Sequence, residues 1–304
     1  GGEEAMPEWR AIFGAALPHI DVRWWSDPTL PREDVHYALV WEPPPGFLAR
    51  LVNLKLIVSS GAGVDHLTQD PDLPRHVPIV KMGAPEAAAR MAEYVLAAVL
   101  FHHRRFHHFV DAQRRRQWAR VETTEAANRV VGVMGLGTLG AAAATALRTT
   151  GFRVRGWSRN AKTLDGIETF AGRDGFDAFL DGTEILVCLL AATPETEGIV
   201  NAATLARLPG GACVVNAARG SHVVLPDLIA ALDSGHIAAA TLDVFETEPL
   251  PADDPAWAHP RILITPHVAS TAGRQARGRF VIEAIRAFEA GETLPNQYDP
   301  ARGY

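Results

Sequence analysis

An apolar run that leads into closely spaced glycines constrains the fold of this chain more than any other feature. Residues 130–134, VVGVM, are followed by Gly135, Gly137 and Gly140, and then by four alanines. A strand, a glycine turn and a helix in this order form the unit that binds a dinucleotide. Gly135 permits the tight turn, Gly137 lets the backbone approach a pyrophosphate, and Gly140 lets the helix pack closely on the strand. The motif therefore predicts a dinucleotide site with its phosphates at the helix N-terminus.

The length and charge of the chain limit its class. At 304 residues it is long for one hydrophobic core, which predicts two domains. Lys and Arg number 29 and Asp and Glu 35, a net charge of −6, so we expect neither a nucleic-acid partner nor an anionic membrane. Cys188 and Cys213 lie in apolar runs, so we expect a reducing, cytoplasmic location without a disulfide framework.

Strand-like and helix-like segments alternate along the chain, which predicts parallel sheets with crossover helices. Before the glycine motif, a helix is predicted at 8–16 and strands at 21–25, 37–41, 54–59 and 78–80. From the motif onward, strands are predicted at 130–134, 152–157, 185–190, 212–216, 238–242 and 262–264, and a last amphipathic helix at 273–291.

These elements predict an α/β fold with two doubly wound parallel-sheet domains. Residues 1–92 and 273–304 are expected to form a discontinuous, flavodoxin-like substrate domain. Residues 93–272 are expected to form an inserted Rossmann domain that binds NAD(P).

A helical pattern without Pro or Gly runs from residue 86 to residue 118. It predicts one long helix that connects the domains and carries a subunit contact. His103 and His107 lie four residues apart in it, a spacing that suits a metal ion. Because no Glu or Cys ligand pattern accompanies them, we predict a polar helix face and no metal site.

The end of the second strand of the glycine-motif unit indicates which cofactor binds. NAD enzymes carry an Asp or Glu about 20 residues after the motif, where it binds the ribose 2′-hydroxyl. This chain instead reads WSRNAK over residues 157–162. Ser158, Arg159 and Lys162 can bind a 2′-phosphate, which a carboxylate would repel. We therefore predict NADP(H) as the preferred cofactor, with NAD(H) as an alternative if Arg159 is only a surface arginine.

Three later strands of the same domain lead into polar side chains. They end in Arg219 (VVNAAR), Glu248 (TLDVFETE) and His267 (ILITPH). Open α/β sheets bind their ligands at these carboxyl ends. Beside a nicotinamide, the three residues suit reduction of a 2-keto acid. The Arg binds the carboxylate and polarises the keto oxygen, the His donates the proton, and a neighbouring Glu favours the charged form of a His.

Taken together, these segments identify a resemblance. Over nearly its whole length the chain resembles the D-isomer-specific 2-hydroxyacid dehydrogenases, most closely the branch that reduces glyoxylate and hydroxypyruvate. The segments that carry the resemblance are SGAGVD at 60–65, MGLGTLG at 134–140, WSR at 157–159, NAARG at 216–220, LDVF at 242–245, EPLP at 248–251, TPH at 265–267 and ARGY at 301–304.

The resemblance implies roles for residues of both domains. Arg219, Glu248 and His267 would be catalytic. The substrate carboxylate would bind the backbone N–H groups of Ala62 and Gly63. Trp41 would lie near the pocket, unless it is a strand-end aromatic in the core. Asp243 would contact the nicotinamide carboxamide. The complete set expected at the cofactor is Gly135, Leu136, Gly137, Thr138, Leu139, Gly140, Trp157, Ser158, Arg159, Lys162, Leu190, Ala191, Thr196, Ala217, Ala218, Arg219, Asp243 and His267.

The expected activity is NADPH-preferring reduction of small 2-keto acids, glyoxylate or hydroxypyruvate first, in a homodimer with His267 as the proton donor. The chain lacks the Pro that the family usually has near Ala191. Residues 81–90 match the branch poorly, so a larger 2-keto acid stays open. Formate dehydrogenase is disfavoured because it carries Gln where Glu248 stands. Phosphoglycerate dehydrogenase is disfavoured by the missing acid near Ser158. A nucleotide-sensing binding protein of the same fold stays open.

Overall fold

Strands and helices alternate in each of two parts of the chain. The computed structural model describes residues 2–300, so the ARGY segment at 301–304 lies outside the described residues. Among the described residues, one compact unit comprises residues 2–86 and 272–300, and the second comprises residues 87–271. The assignment of these units to substrate and cofactor binding stays a prediction.

The first unit contains a parallel sheet. Among its described residues the sheet has three strands in the order β1-β2-β3. Its elements are α1 (Met6–Ala16), β1 (Tyr37–Val40), β2 (Leu56–Ser59), α2 (Asp65–Thr68), β3 (Ile79–Lys81) and α9 (Arg274–Glu289). Val58 packs with Phe13 and Phe280 on one face, while Ile57 packs with Leu48 and Leu67 on the other. Burial of both faces explains the continuous apolar sequence of β2.

The strand predicted at 21–25 is wrong. That segment has no regular secondary structure. Asp27 accepts hydrogen bonds from Arg23 Nη2 at 2.7 Å and from the Thr29 backbone N–H at 2.8 Å. These bonds hold the pKa of Asp27 well below its usual range. Local side-chain bonding of this kind competes with strand pairing.

The second unit contains a larger parallel sheet. Within residues 87–271 its seven strands have the order β10-β9-β8-β7-β4-β5-β6. This is the order of a doubly wound dinucleotide-binding sheet with one further strand, and it confirms the predicted fold class. The strands are β4 (Val130–Met134), β5 (Arg153–Ser158), β6 (Glu168–Ala171), β7 (Ile185–Cys188), β8 (Ala212–Asn216), β9 (Ile237–Leu242) and β10 (Ile262–Ile264).

Helices cover both faces of this sheet. They are α3 (Pro85–His103), α4 (Phe106–Arg114), α5 (Thr138–Thr149), α6 (Phe176–Leu180), α7 (Ala202–Arg207) and α8 (Leu225–Asp233).

Short 3-10 helices lie at Glu3–Ala5, Arg32–Asp34, Leu48–Arg50, Ala126–Asn128, Gly220–His222 and Pro255–Ala258. No helix between residues 2 and 300 combines the length and the apolar character that crossing a membrane requires.

The strand register brings the predicted site segments to one edge of the sheet. Met134 pairs with both Trp157 and Cys188, and the row continues through Asn216, Leu242 and Ile264. These are the last or next-to-last residues of their strands. The glycine turn, the Arg219 turn and the His267 turn therefore leave the sheet at the same edge.

The single helix predicted at 86–118 is wrong. The segment forms α3 and α4, separated at Arg104 and Arg105. Arg105 has φ +54°, a left-handed conformation that ends the first helix. Neither a Pro nor a Gly marks this break in the sequence.

The polar face predicted for His103 and His107 is wrong at His103, whereas His107 is only partly buried. His102 and His103 are buried, and burial lowers the pKa of His102 to about 3. His102 Nε2 lies 2.8 Å from Thr241 Oγ1, and His103 packs edge-on against Phe152. At His102 the Thr241 hydroxyl supplies the polar partner that allows a neutral imidazole to be buried. Among residues 2–300 no cluster of three or more His, Cys, Asp or Glu could hold a metal ion.

Candidate active site

The three glycines of the motif have different surroundings. Gly135 has φ +96°, and a Cβ there would meet the Leu189 carbonyl group. A Cβ on Gly140 would meet the Gly135 carbonyl oxygen. A Cβ on Gly137 would have no heavy atom within 4 Å. Packing therefore explains the glycines at 135 and 140, while the space beside Gly137 is open.

The start of α5 fits the phosphates of a dinucleotide. Gly137 is the N-cap of the helix, no side chain caps it, and its first turn contains no acidic residue. Gly137 and Thr138 are exposed. The first N–H groups of a helix and its dipole favour an anion in such a position. The side chain of Leu136 is buried against Gly156, so it supports the turn from below.

Alanine substitutions separate the two roles of these glycines. We expect Gly137→Ala to change the free energy of unfolding by less than about 1 kcal/mol, because only the helix cap is affected. The same variant should weaken NADPH binding at least about 10-fold by filling the space next to the backbone. Gly140→Ala, the matched control, should destabilise the fold by about 1 to 3 kcal/mol through overpacking. Urea unfolding and fluorescence titration with NADPH measure both effects; unchanged NADPH affinity in Gly137→Ala would contradict the assignment.

The end of β5 presents cations and no carboxylate. Arg159 and Lys162 are exposed, whereas Ser158 is buried and its Oγ donates to the Asn160 carbonyl oxygen at 2.7 Å. The indole of Trp157 lies in the core, where Nε1 donates to the Gly172 carbonyl oxygen at 2.8 Å. Of the residues predicted to bind a 2′-phosphate, Arg159 and Lys162 therefore lie at the surface, while Trp157 lies in the core.

The loop after β7 is held by hydrogen bonds between its own residues. It contains Leu190, Ala191 and Thr196, all expected near the cofactor. Thr196 Oγ1 donates to the Ala191 carbonyl oxygen at 2.8 Å and accepts from the Thr193 backbone N–H at 2.9 Å. The hydroxyl therefore fixes the loop, although the family's usual Pro is absent.

The turn after β8 presents Arg219. Asn216 is fully buried; its Oδ1 accepts from the Ala218 N–H at 3.2 Å and its Nδ2 donates to the Arg219 carbonyl oxygen at 2.8 Å. Ala217 and Ala218 are buried, and Arg219 Nη1 donates to the Ala218 carbonyl oxygen at 2.7 Å. A Cβ on the next residue, Gly220, would collide with the Phe245 backbone. This glycine therefore lets the Arg219 turn approach the segment after β9.

His267 and Glu248 form an ion pair when the histidine is protonated. His267 Nδ1 lies 2.7 Å from Glu248 Oε2, and the two side chains are about 30% exposed. Glu248 Oε1 accepts from the Phe245 N–H at 2.9 Å. The carboxylate is thus held on one side by backbone and orients the imidazole on the other. His267 itself has φ +52°, in the left-handed region.

Asp243 organises the turn that carries His267. Its buried carboxylate accepts hydrogen bonds from Thr265 Oγ1, from the Val268 N–H at 3.0 Å and from the Ala269 N–H at 2.9 Å. Tyr94 on α3 extends this network, since its hydroxyl lies 2.6 Å from Thr265 Oγ1. Burial raises the pKa of Tyr94 to about 12, so the phenol stays protonated. Two of these donors use Oδ1 and one uses Oδ2, so of roughly four acceptor sites one on Oδ2 is left for the predicted carboxamide contact.

The first unit holds the residues predicted to bind the substrate carboxylate. The Ala62 and Gly63 backbone N–H groups donate no hydrogen bond to another backbone group among the described residues. Trp41 is 40% exposed and its ring lies 4.5 Å from that of His66, so the core alternative for Trp41 is wrong. A Cβ on Gly61 would collide with this indole, which explains the glycine.

Several residues around the site were not predicted from the sequence. They are Tyr94, Asn216 and Thr265, which position the expected residues through hydrogen bonds, and His222, which follows the Arg219 turn. Only Asn216 and Thr265 lie inside recognisable segments, NAARG and TPH. Tyr94 lies in an ordinary helical segment and His222 ends a three-residue 3-10 helix after NAARG, and neither carries a local signal.

Comparison with known proteins gives a consistent result. Residues 96–269 match the family model described as D-isomer specific 2-hydroxyacid dehydrogenase, NAD binding domain. The chain is 42% identical to glyoxylate/hydroxypyruvate reductase A of Serratia proteamaculans (strain 568), over 98% of this chain and 96% of that protein.

Solved structures agree with the sequence match. A D-isomer specific 2-hydroxyacid dehydrogenase from Xanthobacter autotrophicus Py2, crystallised with NADPH and MES, is 49% identical with a TM-score of 0.92. An NADPH-dependent glyoxylate/hydroxypyruvate reductase from Sinorhizobium meliloti, crystallised with NADP and sulfate, is 38% identical with a TM-score of 0.91. Both alignments cover 98% of this chain and 96% of the other. The chain therefore belongs to the D-isomer specific 2-hydroxyacid dehydrogenase family and is an NAD(P)-dependent oxidoreductase.

Proposed function

We propose that this enzyme reduces small 2-keto acids, glyoxylate and hydroxypyruvate first, to the 2-hydroxy acids with NADPH. The observation that carries the proposal is the His267–Glu248 pair, at 2.7 Å, on the sheet edge that also carries the glycine turn and the Arg219 turn. Relatives of this chain are named for the same reaction.

The cofactor would be held along the carboxyl edge of the second sheet. Gly137 and the first N–H groups of α5 would bind the pyrophosphate, while Arg159 and Lys162 would bind the 2′-phosphate. The loop of Leu190, Ala191 and Thr196 and the buried Ala217 and Ala218 would line the site farther along the edge. The bound nicotinamide supplies the hydride for C2 of the keto acid.

The residues proposed as catalytic have separate roles in substrate binding and proton transfer. The guanidinium of Arg219 binds the substrate carboxylate and polarises the keto oxygen, which develops negative charge as C2 is reduced. His267 donates a proton from Nε2 to that oxygen, while Nδ1–H stays bonded to Glu248. Ala62, Gly63 and Trp41 of the first unit stay predicted substrate contacts. Asp243 holds the His267 turn.

Removal of Arg159 tests the cofactor preference. We expect Arg159→Ala to raise the Kd for NADPH about 10- to 100-fold, because a charge-assisted bond to the 2′-phosphate is lost. The Kd for NADH, which lacks that phosphate, should change less than about 2-fold. Arg153, exposed at the opposite end of the same strand, provides the control Arg153→Ala. Equal loss of NADPH and NADH affinity in Arg159→Ala would speak against this contact.

Oxidation of NADPH and NADH with glyoxylate, hydroxypyruvate and pyruvate in parallel tests the activity itself. Fast loss of NADPH with a two- or three-carbon keto acid is the expected result. Activity confined to longer keto acids would replace the proposed substrate class. Clear NADPH binding without turnover of any 2-keto acid would favour a nucleotide-sensing protein of this fold.

We also propose a homodimer in a reducing, cytoplasmic location. The exposed apolar side chains of Phe106, Val110 and Trp118 support a subunit contact near α4, since such patches mark interfaces. The free, buried Cys188 and Cys213 support the location.

A further inference from the structure

His222 lies between two loops of the proposed site. It ends the short 3-10 helix after Arg219 and has no exposed surface. Its Nδ1 accepts from the Arg219 backbone N–H at 3.3 Å, and its Nε2 lies 3.2 Å from the Ala191 carbonyl oxygen. One imidazole therefore contacts both the turn that presents Arg219 and the loop after β7. Neither the catalytic residues nor the glycine motif includes it.

The two backbone partners fix the protonation state of the ring. A backbone N–H can only donate, so Nδ1 carries no hydrogen. A carbonyl oxygen can only accept, so Nε2 carries the hydrogen. The ring is therefore the neutral Nε2–H tautomer. A doubly protonated ring would lose the Arg219 contact.

The backbone on either side keeps the imidazole in place. The His222 N–H donates to the Arg219 carbonyl oxygen at 3.2 Å, and the His222 carbonyl oxygen accepts from the Val200 N–H at 2.8 Å. The Ala191 carbonyl oxygen, which contacts the imidazole, also accepts a hydrogen bond from Thr196 Oγ1. Hydrogen bonds thus hold each loop, and the imidazole contacts both of them.

We infer that His222 is a positioning residue that couples the proposed cofactor loop at Ala191 to the Arg219 turn. Its Nε2 contact supports NADPH binding, and its Nδ1 contact supports the guanidinium that handles the keto acid. This inference rests on the function proposed above. It assigns separate effects to the two nitrogen atoms, which a residue that only fills the core would not have.

Two substitutions separate these contacts. The amide oxygen of Asn lies close to the position of Nδ1 and can still accept from Arg219, but Asn does not reach Ala191. The amide nitrogen of Gln lies close to the position of Nε2 and can still donate to Ala191. Loss of one buried hydrogen bond corresponds to about 5- to 50-fold in an equilibrium constant.

We expect His222→Asn to raise the Kd for NADPH about 5- to 50-fold, with kcat at saturating NADPH within about 2-fold. His222→Gln should lower kcat/KM for the keto acid about 5- to 50-fold, with the Kd for NADPH within about 2-fold. Fluorescence titration gives the Kd without turnover, and stopped-flow or steady-state assays give kcat and KM.

His236 supplies a matched control. Its Nε2 lies 3.0 Å from the Leu205 carbonyl oxygen, a similar contact between a ring and a backbone group in the same unit. His236→Asn and His236→Gln should lower Tm at most, with unchanged NADPH affinity and kcat/KM. If both His222 variants lose NADPH affinity and kcat/KM together, in proportion to Tm, or if neither parameter changes, the coupling role is refuted.

Imidazole 15N NMR of the apoenzyme provides a readout that does not depend on activity. It should identify the Nε2–H tautomer at His222, and an Nδ1–H tautomer would overturn the inference. If the unmodified enzyme reduces no 2-keto acid, the proposed function fails. The NADPH affinity of His222→Asn and the tautomer still test the bridge in that case.

Discussion

His267→Asn is expected to lower kcat for the keto acid about 100- to 10,000-fold, the usual cost of losing a general acid. Asn is the suitable replacement for two reasons. Its side-chain amide can still donate to Glu248, because it lies close to the position of Nδ1. It also tolerates φ +52°, since Asn is among the residues most often found in the left-handed region. The variant should therefore fold normally and lack only the proton donor at Nε2.

The control for this variant is a second histidine beside a carboxylate. His259 Nε2 lies 3.4 Å from Asp233 Oδ1, and both residues lie at the amino edge of the same sheet, away from the predicted site. His259→Asn should leave kcat within about 2-fold, because no proton transfer is assigned to it. Steady-state oxidation of NADPH measures both variants, and Tm verifies their folding. A His267→Asn enzyme with near-normal kcat would exclude His267 as the proton donor.

The parallel strands could be predicted because their residues are buried on both faces. Val130–Met134 is buried at every position, and a strand that is buried on both faces has a continuous apolar sequence. The residues that follow each apolar run therefore lie at the carboxyl edge of the sheet, and this does not depend on the helices that connect the strands. For this reason Arg219 and His267 could be assigned to one edge from the sequence alone.

The elements that were missed carry no such pattern. β6, Glu168–Ala171, is an edge strand that is only partly buried, and Glu168 pairs with Arg155 at 2.9 Å. The break between α3 and α4 depends on the left-handed conformation of Arg105, a residue with no intrinsic preference for it. At β6 pairing with the neighbouring strand decides the outcome, and local sequence preferences are too weak to reveal it.

The residues of the candidate site also form two groups, one that could be predicted from the sequence and one that could not. Side chains that perform chemistry are recognisable by type, because only a few residue types can polarise a keto oxygen or donate a proton. Positioning residues such as His222 and Tyr94 act through hydrogen bonds to partners as far as 31 and 171 residues away. Their roles become visible only once the fold brings those partners within reach. The prediction for His103 failed for a different reason. A polar residue type was expected at the helix surface, but the fold buries this side chain.

Arg219→Ala is expected to lower kcat/KM for the keto acid at least about 1,000-fold, because it removes both a carboxylate ligand and a donor to the developing oxyanion. Arg219→Lys should recover only part of this loss, since an ammonium group keeps the charge but not the planar fork that binds a carboxylate through two parallel bonds. The turn itself should survive, because Asn216 and His222 hold it through the Arg219 backbone, which an alanine also provides.

Two further measurements make the Arg219 prediction specific. Free guanidinium, added to Arg219→Ala below denaturing concentrations, should restore part of the lost rate, and it should have no such effect on His267→Asn. Arg207→Ala removes an exposed arginine that pairs with Asp177 at 3.3 Å and should leave kcat/KM within about 2-fold, as expected of a surface ion pair. If Arg219→Ala instead retains kcat/KM near that of the unmodified enzyme, then the charge at the end of β8 does not face the keto acid, and the assignment of this strand end to the substrate must be abandoned.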